Sequence, residues 1–429
     1  MSRASGEPLR ASIVAGCIVS RDAISNIARQ QADALSMPLA GGPTADVRLF
    51  TMGGNVSDSR IVEVPSASAI VADAHFQSSD IIVFHFGIRY PAFDAILLAP
   101  RTAHVVGYYH GITPPALLNE TERTTLAESF CQANNLFAAD RVQTTSRYIQ
   151  KELESFGLPS ERISRVAPAV SFQPIPRRPM KAGQPLRFLY VGRFVASKGI
   201  SDLMAAFAKF ASRNADATLD LAGSTAWCDP EYLAHLRELA KSPLLRNRVR
   251  FHHDLSASEL ARRYAEADVF VFPSYHEGFG VPIVEALMSG CYVICSDAGA
   301  SPETAGGLGR VFPTGDVASL ATRFAQVEWA WQRNVRPTAM GLLTTEEWAR
   351  QAREYAADFT QAAYEDRFRT SVFSGLARYP TGVAKYLANK RLQLLDDLPA
   401  AVGKRDDEPA IYRTFREGFA PPKGEQRAA

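Results

Sequence analysis

Short apolar runs rich in β-branched and aromatic residues alternate with helix-patterned stretches along most of this chain. The alternation breaks once: from 167 to 185, five of nineteen residues are proline. Such a stretch is a semi-rigid connector and not a regular element. Before it, residues 11–19, 46–51, 80–85 and 103–109 read as strands. Helical patterns follow the first of these through Leu35, then recur around 121–138 and 146–156. After it, strands are expected at 187–192, 218–223, 249–252, 267–274, 292–296 and 309–313. Helices at 199–213, 257–267 and from about Pro282 to Gly290 fall between them. Strand–helix alternation of this kind predicts an α/β fold with helices on both faces of a parallel sheet. Here it predicts two such units, although no internal repeat of sequence links them. The expected division is 1–175, 186–345, a helical stretch 346–395, and a flexible tail 396–429 that has lost periodicity. Ser256 with Glu259, and Thr344 with Glu347, are spaced as capping boxes, the second opening a helix that should run to about Tyr364.

Composition narrows the classes of function. Two domains suit a length of 429 residues, and 46% apolar content suits globular packing. The 47 basic and 45 acidic residues leave a net charge of +2, which offers no concentrated basic face for nucleic acid. Cys17, Cys131, Cys228, Cys291 and Cys295 are odd in number and scattered, with neither zinc spacing nor a disulfide framework. A reducing, cytoplasmic setting is therefore expected. Residues 1–8 lack the apolar core of a signal peptide, and no apolar run approaches the roughly 18–20 residues of a membrane span. Peripheral contact with the inner face of a membrane stays open.

The densest chemistry lies in Glu277-Gly-Phe-Gly-Val-Pro-Ile-Val-Glu285, directly after the apolar run ending at Ser274. Gly278 and Gly280 permit a sharp turn and a close approach to a ligand. Pro282 suits a helix start and Gly290 its end, so Glu285 is expected near the first helical turn with Glu277 in the loop before it. A glutamate so placed can be no more than a dipole partner, worth about 0.3–1 kcal/mol. Two carboxylates at a strand-to-helix handover nevertheless sit where open α/β sheets bind ligands. Arg193 follows another strand, and Lys198-Gly199 opens the next helix. Those two cations beside helix N–H groups would suit a diphosphate, though either could equally be a solvated surface charge.

The E-x7-E nonapeptide, together with Val191-Gly-Arg-Phe-Val-Ala-Ser-Lys-Gly199 about eighty residues earlier, resembles the retaining nucleotide-sugar glycosyltransferases of family 4. The resemblance spans most of residues 11–370 and is strongest from Arg187 to Gly315. It implies the GT-B fold: two Rossmann-like domains facing a deep cleft, with a late helix, the one opened at Thr344, returning to brace the first domain. It also implies donor contacts by Arg193, Lys198, Glu277, Gly278, Phe279, Gly280, Val281 and Glu285. On that resemblance Glu285 holds the ribose hydroxyls, Glu277 the transferred sugar, and Arg193 with Lys198 the diphosphate. Tyr108-Tyr-His-Gly-Ile-Thr-Pro-Pro115 is similar to a Tyr-His-Asn-Ile-Thr-Pro segment of a bacterial subgroup, which would put His110 against the donor sugar. Gly111 replaces the usual Asn, and Ser25 stands in the first loop where that subgroup has Gly.

The activity implied is retaining transfer of a mannose- or glucose-type hexose from a nucleotide-diphosphate sugar to a glycan, lipid-linked or small-molecule acceptor. Glu277, His110, Arg193 and Lys198 would carry the catalysis. No cofactor and no metal are expected, since no Asp-x-Asp motif lies at a strand end. A nucleotide-sugar epimerase or a phosphorylase of the same fold, and a non-catalytic sugar-nucleotide-binding subunit, are the alternatives. A dehydrogenase is disfavoured, because no G-x-G-x-x-G follows the first strand. Ser146, Arg147 and Glu303 also lie at handovers, where a capping role competes with a role in the cleft.

Overall fold

A computed structural model describes residues 8–378, apart from 21, 38–43, 115–116, 118–119, 178–183 and 226–227. The expected flexible tail, 396–429, lies outside the described residues.

The first sheet has seven parallel strands: β1 (Leu9–Ala15), β2 (Ala45–Thr51), β3 (Ile61–Glu63), β4 (Ile81–Phe86), β5 (His104–Tyr109), β6 (Arg141–Thr144) and β7 (Ile163–Arg165), in the order β3-β2-β1-β4-β5-β6-β7. Around them run α1 (Ala23–Ser36), α2 (Ala67–Ala72), α3 (Ala74–Gln77), α4 (Glu120–Ala133) and α5 (Arg147–Ser155). β1 stops at Ala15, four residues short of the run that looked strand-like. Residue 16 onward instead forms the loop that carries Asp22, whose carboxylate caps α1 at the Ser25 N–H (2.8 Å).

The second sheet has six parallel strands: β8 (Arg187–Val191), β9 (Thr218–Gly223), β10 (Val249–His253), β11 (Val269–Phe272), β12 (Tyr292–Ser296) and β13 (Arg310–Phe312), in the order β10-β9-β8-β11-β12-β13. Its helices are α6 (Ile200–Ala211), α7 (Pro230–Leu239), α8 (Ala257–Glu266), α9 (Val281–Met288), α10 (Ser301–Thr304) and α11 (Val317–Gln332). A small antiparallel hairpin of β14 (Val335–Thr338) and β15 (Gly341–Thr344) leads into α12 (Thr345–Ala356) and α13 (Gln361–Arg378). Both sheets follow the doubly wound order, reversing beside the first strand of each unit.

Every residue of β4, β5, β11 and β12 is buried, which is why these strands read as continuous apolar runs: helices cover both faces. The core of the second unit centres on Phe188, Phe207, Phe270, Ile294 and Phe324. The first unit packs two cores, one on each face of its sheet.

The helix opened by the Thr344–Glu347 capping box ends at Ala356, not near Tyr364, and a 3-10 turn over Ala357–Phe359 redirects the chain. The two helices then divide their partners. α12 stays with the second unit, where the Trp348 indole donates to the Leu308 carbonyl at 2.6 Å. The brace against the first unit is α13: Tyr364, Phe368 and Val372 are fully buried in that unit's core. Arg369 donates to the carbonyls of Ala34 (2.9 Å) and Met37 (2.7 Å), closing the end of α1.

The proline-rich connector forms no helix or strand where described, and it docks. Arg177 donates to the Gly290 carbonyl (2.7 Å) and pairs with Asp268 (3.2 Å), while the Phe172 ring meets Tyr264 edge-on at 5.3 Å. No helix among the described residues is long and apolar enough to cross a membrane.

Candidate active site between the two sheets

Parallel strands put all their carboxyl ends on one edge, and here the two edges face each other. Thr145 and Ser146, just past β6, each donate a hydroxyl to the Gly278 carbonyl at 2.8 Å. Gly278 lies in the loop between β11 and α9, so the first unit touches the backbone of the Glu277–Glu285 segment. A side chain at 278 would collide with the His110 carbonyl, since a Cβ there would lie 2.6 Å from it. The glycine therefore serves close approach of two backbones.

Gly280, with φ +93°, turns the chain into α9, whose second residue is Pro282; Gly290, with φ +72°, closes its end. Glu285 is the fifth helical residue, one position deeper than a start at Pro282 would put it. Burial drives its carboxyl pKa above the usual carboxylate range, opposed by the Tyr264 hydroxyl, which donates to Oε2 at 2.8 Å. That leaves Oε1 to accept from another donor. Phe279 and Val281 give their side chains to packing: Phe279 is 9% exposed and meets the Phe359 ring at 5.6 Å.

Lys198 ends a 3-10 turn before α6, and Gly199 in the left-handed region (φ +63°) fits beneath the Pro273 carbonyl. The Lys198 ammonium forms an ion pair with Glu277, both side chains being largely buried, at 15% and 13% exposure. Two residues assigned separately to diphosphate and sugar are thus one unit. Arg193 follows β8 on an exposed turn, where its carbonyl accepts from the Tyr190 hydroxyl at 3.0 Å. His276 faces both members of the ion pair, and burial lowers its pKa below the ordinary histidine value.

Across the cleft His110 follows β5. Its Nε2 lies 3.0 Å from Nδ1 of His85, and burial lowers its pKa to about 3. Burial thus favours its neutral form. Close by, Glu152 of α5 accepts from the Tyr109 hydroxyl at 2.9 Å, and burial raises its pKa to about 7.

Glu303, on α10, resolves toward capping, but of a helix in the other unit. Its two carboxylate oxygens accept from the Arg147 N–H at 3.0 and 2.9 Å, at the first turn of α5. Ser146 completes the same helix end by accepting from the Ile149 N–H at 3.2 Å. Sequence reasoning missed His85, Thr145 and Glu152. His85 left a signal, since it ends a predicted strand just as His110 follows one.

Two Rossmann-like α/β units meeting at the carboxyl edges of their sheets, with the chain crossing back through α13, define the GT-B fold. Residues 172–337 match the family model described as "Glycosyl transferases group 1". Among curated proteins, the chain is 29% identical over 203 residues to the O-antigen chain mannosyltransferase B of Escherichia coli, covering 45% of this chain and 52% of that one. It is 30% identical over 177 residues to a glycogen synthase of Mycobacterium tuberculosis, covering 40% and 41%. The matched stretches thus span about half or less of these relatives' lengths. Among solved structures, a sucrose-phosphate synthase from Thermosynechococcus elongatus superposes with a TM-score of 0.61 at 20% identity, covering 92% of this chain and 100% of that one. Anabaena HepE in complex with UDP-glucose gives 0.63 at 16% identity, covering 85% and 100%.

Proposed function

We propose that this protein is a retaining glycosyltransferase of family 4. It moves a mannose- or glucose-type hexose from a nucleotide-diphosphate sugar to a glycan, lipid-linked or small-molecule acceptor in bacterial polysaccharide or glycoconjugate synthesis, in the cytoplasm or at the inner membrane face. The observation that carries the proposal is the Lys198–Glu277 pair at a strand-to-helix handover, opposite His110 and one loop from Glu285. The mannosyltransferase relative and the group 1 match of the second unit support it.

In this reading Glu285 accepts from the ribose hydroxyls, a vicinal diol being a good match for a carboxylate. Lys198, Arg193 and helix N–H groups stabilise the charge that grows on the departing diphosphate, usually the largest catalytic contribution in such sites. Glu277 orients the sugar while holding Lys198 in place. The leaving phosphate helps deprotonate the acceptor on the same face, so no side chain acts as a nucleophile. Contacts that bring Gly278 against the first unit exclude water from the transfer.

The test is release of free nucleoside diphosphate from a panel of nucleotide sugars, with and without acceptors. Acceptor-dependent release supports transfer. Binding without turnover would favour a non-catalytic subunit, and an altered sugar still joined to its nucleotide would favour an epimerase. We further propose that transfer needs no metal. In this reading the groups that meet the phosphates are Arg193, Lys198 and helix N–H donors, which would repel a cation. Turnover should survive excess EDTA after dialysis; loss under EDTA, restored by Mg²⁺ or Mn²⁺, would overturn that electrostatic picture.

A further inference from the structure

His85 is the next-to-last residue of the buried strand β4, is 1% exposed, and has no part in the nucleotide-sugar contacts above. Three neighbours fix its ring. It stacks on Tyr108 with centroids 5.4 Å apart, and it lies nearly parallel to His110 at 5.2 Å and 21°. Its Nε2 is 2.9 Å from the Oε1 of Gln31, a fully buried residue of α1. Gln31 in turn lies beside the Tyr364 hydroxyl of the bracing helix α13.

The proton pattern follows from what each atom can do. An amide oxygen only accepts, so Nε2 of His85 carries the hydrogen. Burial depresses the pKa of His85 well below the histidine range, so the ring is neutral and its Nδ1 has a lone pair instead of a hydrogen. His110 Nε2, at 3.0 Å, must then donate to it. A neutral His110 with hydrogen on Nε2 keeps a lone pair on Nδ1.

We infer that Gln31 and His85 are positioning residues that lock His110 in its Nε2–H form, so that its Nδ1 serves the cleft as a hydrogen-bond acceptor for a hydroxyl of the transferred sugar. The part concerning the sugar rests on the proposed transfer activity; the part concerning the ring does not. A histidine free to change tautomer would present a donor in some molecules and an acceptor in others. An orienting partner removes that loss, as the third member of a catalytic triad does for its histidine. Because the orienter acts through His110, its removal should lower turnover and leave nucleotide affinity alone.

Two experiments decide the matter. In ¹⁵N-histidine-labelled full-length protein at neutral pH, the ring-nitrogen shifts of His85 and His110 should both report Nε2–H. A hydrogen on Nδ1 of His110 would overturn the inference whatever the enzyme turns over. Then His85→Leu, which cannot accept from His110, should lower kcat roughly 10–100-fold, the scale of one lost oriented hydrogen bond. The affinity for free nucleoside diphosphate should stay within about twofold. His85→Asn places an amide oxygen near the former Nδ1 and should restore kcat to within about threefold. Wild-type kcat in His85→Leu, no rescue by Asn, or equal losses of kcat and nucleotide affinity would each overturn it. A wild-type protein that turned over no nucleotide sugar would sink the proposed function instead, and the NMR result would then decide the ring assignment alone.

Discussion

Glu277 and Glu285 differ in their partners more than in their distance along the chain. Glu277 neutralises Lys198, whereas Glu285 is tied to a tyrosine in a more enclosed setting. Glu285→Gln is therefore expected to weaken free nucleoside diphosphate about tenfold, by titration calorimetry, since a charge-assisted bond to the ribose is lost. Glu277→Gln frees Lys198 for the diphosphate, so nucleotide affinity should hold or tighten while kcat falls roughly 10–100-fold. Equal weakening in both variants would refute this division of roles. Glu152 gives a prediction of stability. Its folded pKa is raised from 4.5 to about 7, so folding favours the protonated form. That contribution is complete below about pH 4.5 and is lost as pH rises through 7. Glu152→Gln cannot ionise, so by urea unfolding it should gain on the wild type between pH 5 and pH 8, reaching roughly 1–2 kcal/mol. A difference independent of pH would show that the carboxyl ionises freely. At this scale the glycine-spaced acidic motif and the two cations were legible in the sequence. Glu152 and the His85–His110 contact were not, because they depend on which strands lie side by side.

Whole elements show the same limit. Capping boxes are local, and both that the spacing predicted are formed, Ser256 with Glu259 and Thr344 with Glu347. Long buried strands such as β4 and β11 announce themselves through unbroken apolar runs. β6 does not: Arg141-Val-Gln-Thr144 has one apolar residue yet is buried throughout. Part of the reason is a partner 228 positions away, since the Gln143 amide donates to the Ser371 hydroxyl of α13 at 3.0 Å. β3 and β7, three residues each at the sheet edges, are as hard to read. The end of α5 shows an element completed from another unit. Glu303→Ala removes the carboxylate at the Arg147 N–H and should cost about 1 kcal/mol, as for the loss of a helix cap. Because the cap crosses the cleft, the loss should also appear as a larger radius of gyration in small-angle scattering. An unchanged radius with lowered stability would mean that the cap acts within α5 alone.

At the scale of the molecule, two similar units are distinguished by α13, which leaves the second and finishes the core of the first. Phe368 is fully buried there, in contact with residues from the chain's first strands. Phe368→Ala should destabilise the first unit by about 3–5 kcal/mol. Hydrogen exchange should show that loss in β1 and β4 and leave β11 and β12 protected as before; uniform loss across both sheets would mean that the units unfold as one. The return of the chain also sets a timetable for synthesis on the ribosome. The first unit emerges roughly 200 residues before the helix that seals it, and at about 5–20 residues per second that interval is about 10–40 s. Through that time the groove for Tyr364, Phe368 and Val372 has no cover, so the nascent chain's need for chaperones should peak in the middle of translation and end when α13 arrives.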